Sequence, residues 1–213
     1  MRHFVRAIAI TVVALIATGC ATTQPTYDYT ALEASKPRSI LVIPPINNSV
    51  AVNAPYIYLS TISAPLAEKG YYVFPVAVIE QFLTSNGLQS PADMHNISLE
   101  KIREHINPDA VLYVTIQDWG QKYHVVDSTT VVNTELKLVD AKTGHILWTA
   151  KAALAQGANN GGGGLAGMLI SAVVNQVIGS VSDRTPQVSA IANNIAINHR
   201  NLGLLPGPYA AKN

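Results

Sequence analysis

Residues 39–43, Ser39-Ile40-Leu41-Val42-Ile43, form a continuous apolar run stopped by Pro44-Pro45, the pattern of a short strand buried on both faces. Leu59, Ile62 and Leu66 then recur at helical spacing up to a stop at Gly70, and Pro65 inside that stripe predicts a kink or two short helices. Tyr71-Tyr72-Val73-Phe74 reads as a second strand. Val78, Ile79, Phe82 and Leu83 make a further helical stripe closed by Gly87, and Leu99, Ile102, Arg103 and Ile106 make another that starts at the capping residue Ser98. Residues 109–117 alternate as a long strand ending at Asp118-Trp119-Gly120, and residues 123–126 and 129–139 continue in extended pattern. The turn Asp140-Ala141-Lys142-Thr143-Gly144 joins residues 134–139 to 145–153 in a hairpin, with Gly144 supplying positive φ. The order βαβααβββ predicts an α/β domain over residues 37–153, a mixed sheet with helices packed on it, with Val42, Val73, Val111 and Leu136 in the core.

The last third changes character. No charged residue occurs from 152 to 182, where a Gly-rich linker (154–164) leads into a stretch containing Leu165, Met168, Val174 and Ile178. Its apolar face is wider than one side of a surface helix needs, so it is expected to self-associate or to dock a partner, the competing reading being burial against the sheet. Thr185 and Pro186 open a second helix whose stripe is Val188, Ile191, Ala192, Ile195 and His199. The C-terminal hairpin is thus followed by two helices (165–200) and an irregular tail (201–213).

The other end of the chain places the protein in the cell. Arg2 and Arg6, the 11-residue apolar stretch 7–17, and Thr18-Gly19 before Cys20 form a secretory signal peptide, too short for a span that takes about 20 residues. The run Leu15-Ile16-Ala17-Thr18-Gly19-Cys20 resembles a bacterial lipobox, although Ala17 stands where Leu is favoured. Cys20 is the only cysteine, so it has no disulfide partner within the chain, and lipidation explains its solitude. Ala21, which is not the Asp of inner-membrane retention, directs sorting to the outer membrane, facing the periplasm. Residues 20–36 then read as a lipidated, flexible tether with a reach of ~20–25 Å. Loss of residues 1–19 leaves twelve basic against 13 acidic residues, a balance that offers nothing to nucleic acid.

Candidate chemistry is sparse. Gly162, Gly164 and Gly167 match GxGxxG and Asp183 follows, but residues 181–186 run straight into another helix where a dinucleotide fold needs a parallel strand. No GxxxxGK[ST], HExxH or GxSxG pattern occurs, and His95, His105, His124, His145 and His199 are dispersed. Asp118 lacks a partner carboxylate, and Trp119 is better placed as a cover for the core. Tyr56, Tyr58, Tyr71, Tyr72 and Tyr113 suit half-buried positions as well as a recognition patch. The expectation is a protein without catalytic residues, cofactor or metal.

Several runs carry a family resemblance: Ile43-Pro44-Pro45, Asn53-Ala54-Pro55-Tyr56, Pro65-Leu66-Ala67-Glu68-Lys69-Gly70-Tyr71-Tyr72-Val73-Phe74-Pro75, Asp109-Ala110-Val111-Leu112-Tyr113, Asp118-Trp119-Gly120 and Thr143-Gly144. The chain resembles the Gram-negative lipoproteins of domain-of-unknown-function family 799, typed by a meningococcal vaccine-candidate lipoprotein. The resemblance implies a domain similar to the N-terminal domain of the Tol-Pal translocation protein and to the periplasmic part of curli-secretion lipoproteins. It supplies no catalytic residues. The function expected is that of a protein-binding accessory in envelope assembly or secretion, with a curli-secretion-type lipoprotein or a second copy of this chain as partner. The alternatives are a subunit of an oligomeric secretion pore and, last, a small-ligand carrier or enzyme. Residues 129–153 argue against the pore, since Asp140 and Lys142 occupy the turn and the outward apolar band is thin.

Overall fold

The structure is a computed structural model that describes residues 27–123, 128–157 and 183–211. Its elements run α1 (Thr30–Ser35), β1 (Ser39–Val42), β2 (Ile46–Asn47), α2 (Ala54–Glu68), β3 (Tyr72–Val73), α3 (Val76–Ser85), α4 (Pro91–His95), α5 (Leu99–His105), β4 (Ala110–Tyr123), β5 (Ser128–Asp140), β6 (Ile146–Gly157) and α6 (Thr185–Asn198). One mixed sheet has the order β3-β1-β4-β5-β6, with β2 also alongside β4. β3, β1 and β4 are parallel, whereas β4, β5 and β6 form an antiparallel meander. The α/β class and mixed sheet expected from the pattern are therefore present.

Helices cover the two faces unequally. On one face α2 and α6 enclose the larger core, where Ile40, Val42, Leu112, Val114, Leu136 and Trp148 from the sheet meet Tyr58, Ile62, Leu66, Val188 and Ile197. The other face is covered only over β1 and the start of β4, where Leu41, Ile43 and Val111 meet Ile79, Leu83, Met94 and Ile102. β1 thus buries both faces, as its unbroken apolar run requires. Beyond Val111 this second face opens to solvent and becomes polar. Glu135 pairs with Lys151 at 3.1 Å and Asp118 with Lys122 at 2.7 Å, and Lys137 lies over the Tyr113 ring. Of the four core residues named from sequence, Val42, Val111 and Leu136 are buried and Val73 is half-buried.

The direction of the elements matters for function. β4 and β6 run one way and β5 the other. α2 ends beside β3, whose Tyr72 pairs with Ser39 at the start of β1, and α6 ends where Asn198 Oδ1 accepts from Lys69 Nζ at 3.1 Å. Both long helices therefore descend against β4 and finish at the end of the sheet where β1, β4 and β6 begin.

Several expectations change. α2 is one continuous helix of 15 residues, because Pro65 sits in its last turn and forfeits a single intrahelical bond there. Asp118-Trp119-Gly120 does not end β4: Gln117 is an extra residue between Ile116/Thr134 and Asp118/Asn133, and the strand continues to Tyr123. This β-bulge exchanges the faces, so Trp119 enters the core in place of Asp118. The tether assigned to residues 20–36 is folded from Tyr27 onward, with Leu32 of α1 buried in the main core. α6 and Leu204 share that same core, so the compact unit extends past residue 153 at one end and before residue 37 at the other. α6 also buries a different stripe: Val188, Ser189, Ala192, Asn193, Ala196 and Ile197 face inward, while Ile191 and Ile195 are half-exposed. The small residues of that stripe let α2 approach closely. Thr185 is the first residue of α6 and not its cap, and Asp183 Oδ1 accepts its N–H at 2.9 Å.

Candidate functional site

The two ends of the sheet differ in what they hold. At the end where β1, β4 and β6 begin, the first described residues meet the last. Tyr27 N–H donates to Asn201 O at 3.2 Å, its ring packs on Tyr29 at 5.1 Å, and the Tyr29 hydroxyl donates to Gly203 O. Burial raises the Tyr29 phenol, with a smaller push from Tyr27. Trp148 Nε1 donates to Leu202 O at 2.9 Å and the Tyr71 hydroxyl to Leu205 O at 2.8 Å, while burial holds that phenol at about 12. The C-terminal residues thus form a strap across this end.

Two glycines let the strap lie flat. Gly207 N–H donates to Lys69 O at 2.8 Å and Tyr209 N–H to Gly70 O at 3.0 Å. A Cβ on Gly207 would stand 2.3 Å from Gly70 O, and Gly70 itself has φ of +94°. Between strap and α1 runs a groove of about 620 Å³ lined mainly by Leu32, Pro37, Tyr71, Leu205 and Pro206, with Glu33 and Lys36 at its sides. α1 is fastened by Ser35 Oγ donating to Asp140 Oδ2 at 2.5 Å. Asp140 Oδ1 also accepts from Lys142 N, Thr143 N and Thr143 Oγ1 at 2.7–3.0 Å. Burial alone would raise the Asp140 carboxyl, but these hydrogen bonds outweigh it and hold the group below its ordinary value.

The opposite end carries exposed apolar side chains. Val50 and Val52 are 93% and 85% exposed and Tyr123 78%. Gly157, the last residue of β6, pairs there with Thr129, and Asp183 Oδ1 accepts from Thr185 N at the start of α6. The described chain breaks off after Gly157 at this end and resumes at Asp183, just before α6. Between α2 and α6 lies a buried polar set, Thr61 Oγ1 with Ser189 Oγ at 2.7 Å and Asn193 Nδ2 donating to Thr61 Oγ1 at 3.1 Å.

The described side chains do not converge on a reaction centre. His95 lies between Pro44 O, at 3.0 Å, and the Tyr113 ring. Burial lowers its basicity, aided by Lys137 and opposed by the bond to Pro44. His199 Nδ1 accepts from Asn201 N and Leu202 N, a structural role in the strap. Among the described residues no group of three or more His, Cys, Asp or Glu could hold a metal, and no helix is long and apolar enough to cross a membrane. Cys20, His124, the glycines 162, 164 and 167, and the candidate contacts Leu165, Met168, Val174 and Ile178 lie outside the described residues.

Residues 27–209 match the family described as "Putative lipoprotein GNA1162-like". The chain belongs to that family. Over 185 residues it is 45% identical to "Putative lipoprotein NMB1124/NMB1162" of Neisseria meningitidis serogroup B, covering 86% of each chain. The crystal structure of lipoprotein GNA1162 from Neisseria meningitidis aligns with a TM-score of 0.55 and 43% identity, over 59% of this chain and 88% of that one. Membership in the GNA1162-like family makes this a membrane-anchored lipoprotein and agrees with the meningococcal-lipoprotein resemblance carried by the runs between residues 43 and 144. The PelC dodecamer from Paraburkholderia phytofirmans is more remote, with a TM-score of 0.40 and 18% identity over 64% of this chain and 77% of that one. That likeness bears on neither assembly nor partners.

Proposed function

We propose that the chain is acylated on Cys20, held in the outer membrane facing the periplasm, and acts by binding envelope or secretion proteins rather than by catalysis. The observation that carries this reading is the opposition of the two ends. The N-terminal attachment enters beside the strap, whereas the uncharged connection 158–182 begins after Gly157 at the far end. β4 spans 14 residues, so the ends stand roughly 40–45 Å apart. Leu165, Met168, Val174 and Ile178 are the proposed contacts for a curli-secretion-type lipoprotein partner or a second copy of the chain.

Crosslinking in intact cells, followed by identification of what is joined to the chain, tests the reading. Val174→Ser with Ile178→Asn is expected to weaken that capture while shifting the melting temperature little. A large loss of thermal stability with capture unchanged would reassign these residues to the fold. Cys20→Ala is expected to yield a soluble or signal-retained form. Mutant protein still released only by detergent would contradict the anchor, and wild-type protein fractionating with the inner membrane would contradict the sorting.

A further inference from the structure

We infer that the strap end of the domain, bearing Tyr27, Tyr72, Tyr209 and the Lys36 rim of the groove, rests on the lipid headgroups of the anchoring membrane. The inference rests on acylation at Cys20. Seven Cα steps separate Cys20 from Tyr27 and can span at most ~25 Å, less than the roughly 43 Å length of β4. The strap end is therefore confined near the bilayer surface, while the far end can stand well clear of it. Tyr27 is itself built into the strap through its bond to Asn201 O and its packing on Tyr29, so the attachment point moves with this surface.

The chemistry of the surface suits a headgroup layer. Five of the 9 tyrosines, Tyr27, Tyr29, Tyr71, Tyr72 and Tyr209, gather at this end, and Tyr72 and Tyr209 are 52% and 64% exposed. Tyrosine places an apolar ring and a polar tip across a membrane–water boundary. Exposed charges are mixed, Asp28 and Glu33 against Lys36, Arg38 and Arg200, so the attraction is to a zwitterionic interface and not to anionic lipid alone.

A short tether gives an effective concentration of about 1 mM, so a docking constant of a few tenths of a mM keeps the surface occupied about three quarters of the time. The acylated full chain, on phosphatidylcholine vesicles, is treated with a membrane-impermeant amine reagent and its lysines are quantified by mass spectrometry against the detergent-dispersed protein. Labelling of Lys36 should fall about fourfold on the vesicles, as that occupancy implies, with Lys122 at the far end unchanged. Tyr72→Ser with Tyr209→Ser should restore Lys36 labelling while the protein stays folded, the lost packing of Tyr72 on Phe74 lowering the melting temperature only slightly. Protein that floats with the vesicles while Lys122 is protected as much as Lys36, or while neither is, overturns the inference. Protein that does not float refutes the acylation reading separately, and coupling the free Cys20 thiol of the mature chain to a maleimide lipid then puts the same orientation to the same labelling test.

Discussion

Truncating Ile197 to alanine should unfold the domain far more readily than the same change at Ile195, two residues away on the same helix. Ile197 is fully buried against the sheet, and Ile→Ala at such a site costs about 2–5 kcal/mol from lost transfer energy and the cavity left behind. Ile195 is half-exposed, and losing about half the burial of three carbons costs ~1 kcal/mol. The better helix propensity of alanine returns a few tenths of a kcal/mol at both positions. At roughly 2–4 °C per kcal/mol for a domain of this size, Ile197→Ala should melt ~5–15 °C low and Ile195→Ala no more than ~4 °C low. Calorimetry, checked by urea titration at constant slope, reads both. If Ile195→Ala costs as much as Ile197→Ala, the inward face of α6 is the stripe of isoleucines and not the one described. If neither change matters, α6 is dispensable and the folding unit ends near residue 153.

Asp140→Asn should cost about 1–2 kcal/mol at neutral pH by weakening the clasp on Ser35 and the turn, and because the native carboxyl titrates below its ordinary 3.8, the stability it contributes is complete above that value and lost as pH falls through the lower one. Acid unfolding curves of the two proteins should therefore converge below pH 3.8, and a constant gap down to pH 2 would refute the assignment. His95 should titrate below 6.5 by NMR, and since the folded protein prefers it neutral, its contribution is full above 6.5 and declines on acidification; a midpoint at or above 6.5 would contradict its burial against Tyr113. Gly207→Ala should push the strap off Gly70 and lose two backbone hydrogen bonds, about 2 kcal/mol, with faster amide exchange at Tyr209; unchanged exchange would show that the strap yields without detaching.

Local signals carried much of the fold. The apolar run of β1, the Ser98 cap, whose side chain accepts from Lys101 N, and the Gly144 turn at φ +75° each state their structure within a few residues. α1 could not be read this way. Only Leu32 of its six residues is buried, and what buries it lies partly in the strap some 170 positions later. α4, five residues capped by Ser90, is too short for a period. The inward face of α6 was hidden because Ser189 and Asn193 are polar, and only their bonds with Thr61 of α2 make them interior residues. The separation of the anchor from the start of the connection 158–182 depends on β6 ending away from the strap, a relation no local pattern encodes.

The shared axis of the long antiparallel strands also decides how the molecule answers a pull. A force applied between a lipid at the Tyr27 end and a partner at the Gly157 end runs along β4, β5 and β6, and the bonds of this antiparallel meander lie across that line. They are loaded together in shear rather than opened one after another like a zipper. The Trp148 and Tyr29 bonds to the strap spread the same load onto the C-terminal segment at the anchor. On the proposed arrangement, tension between membrane and partner would be resisted by the meander as a whole rather than strand by strand.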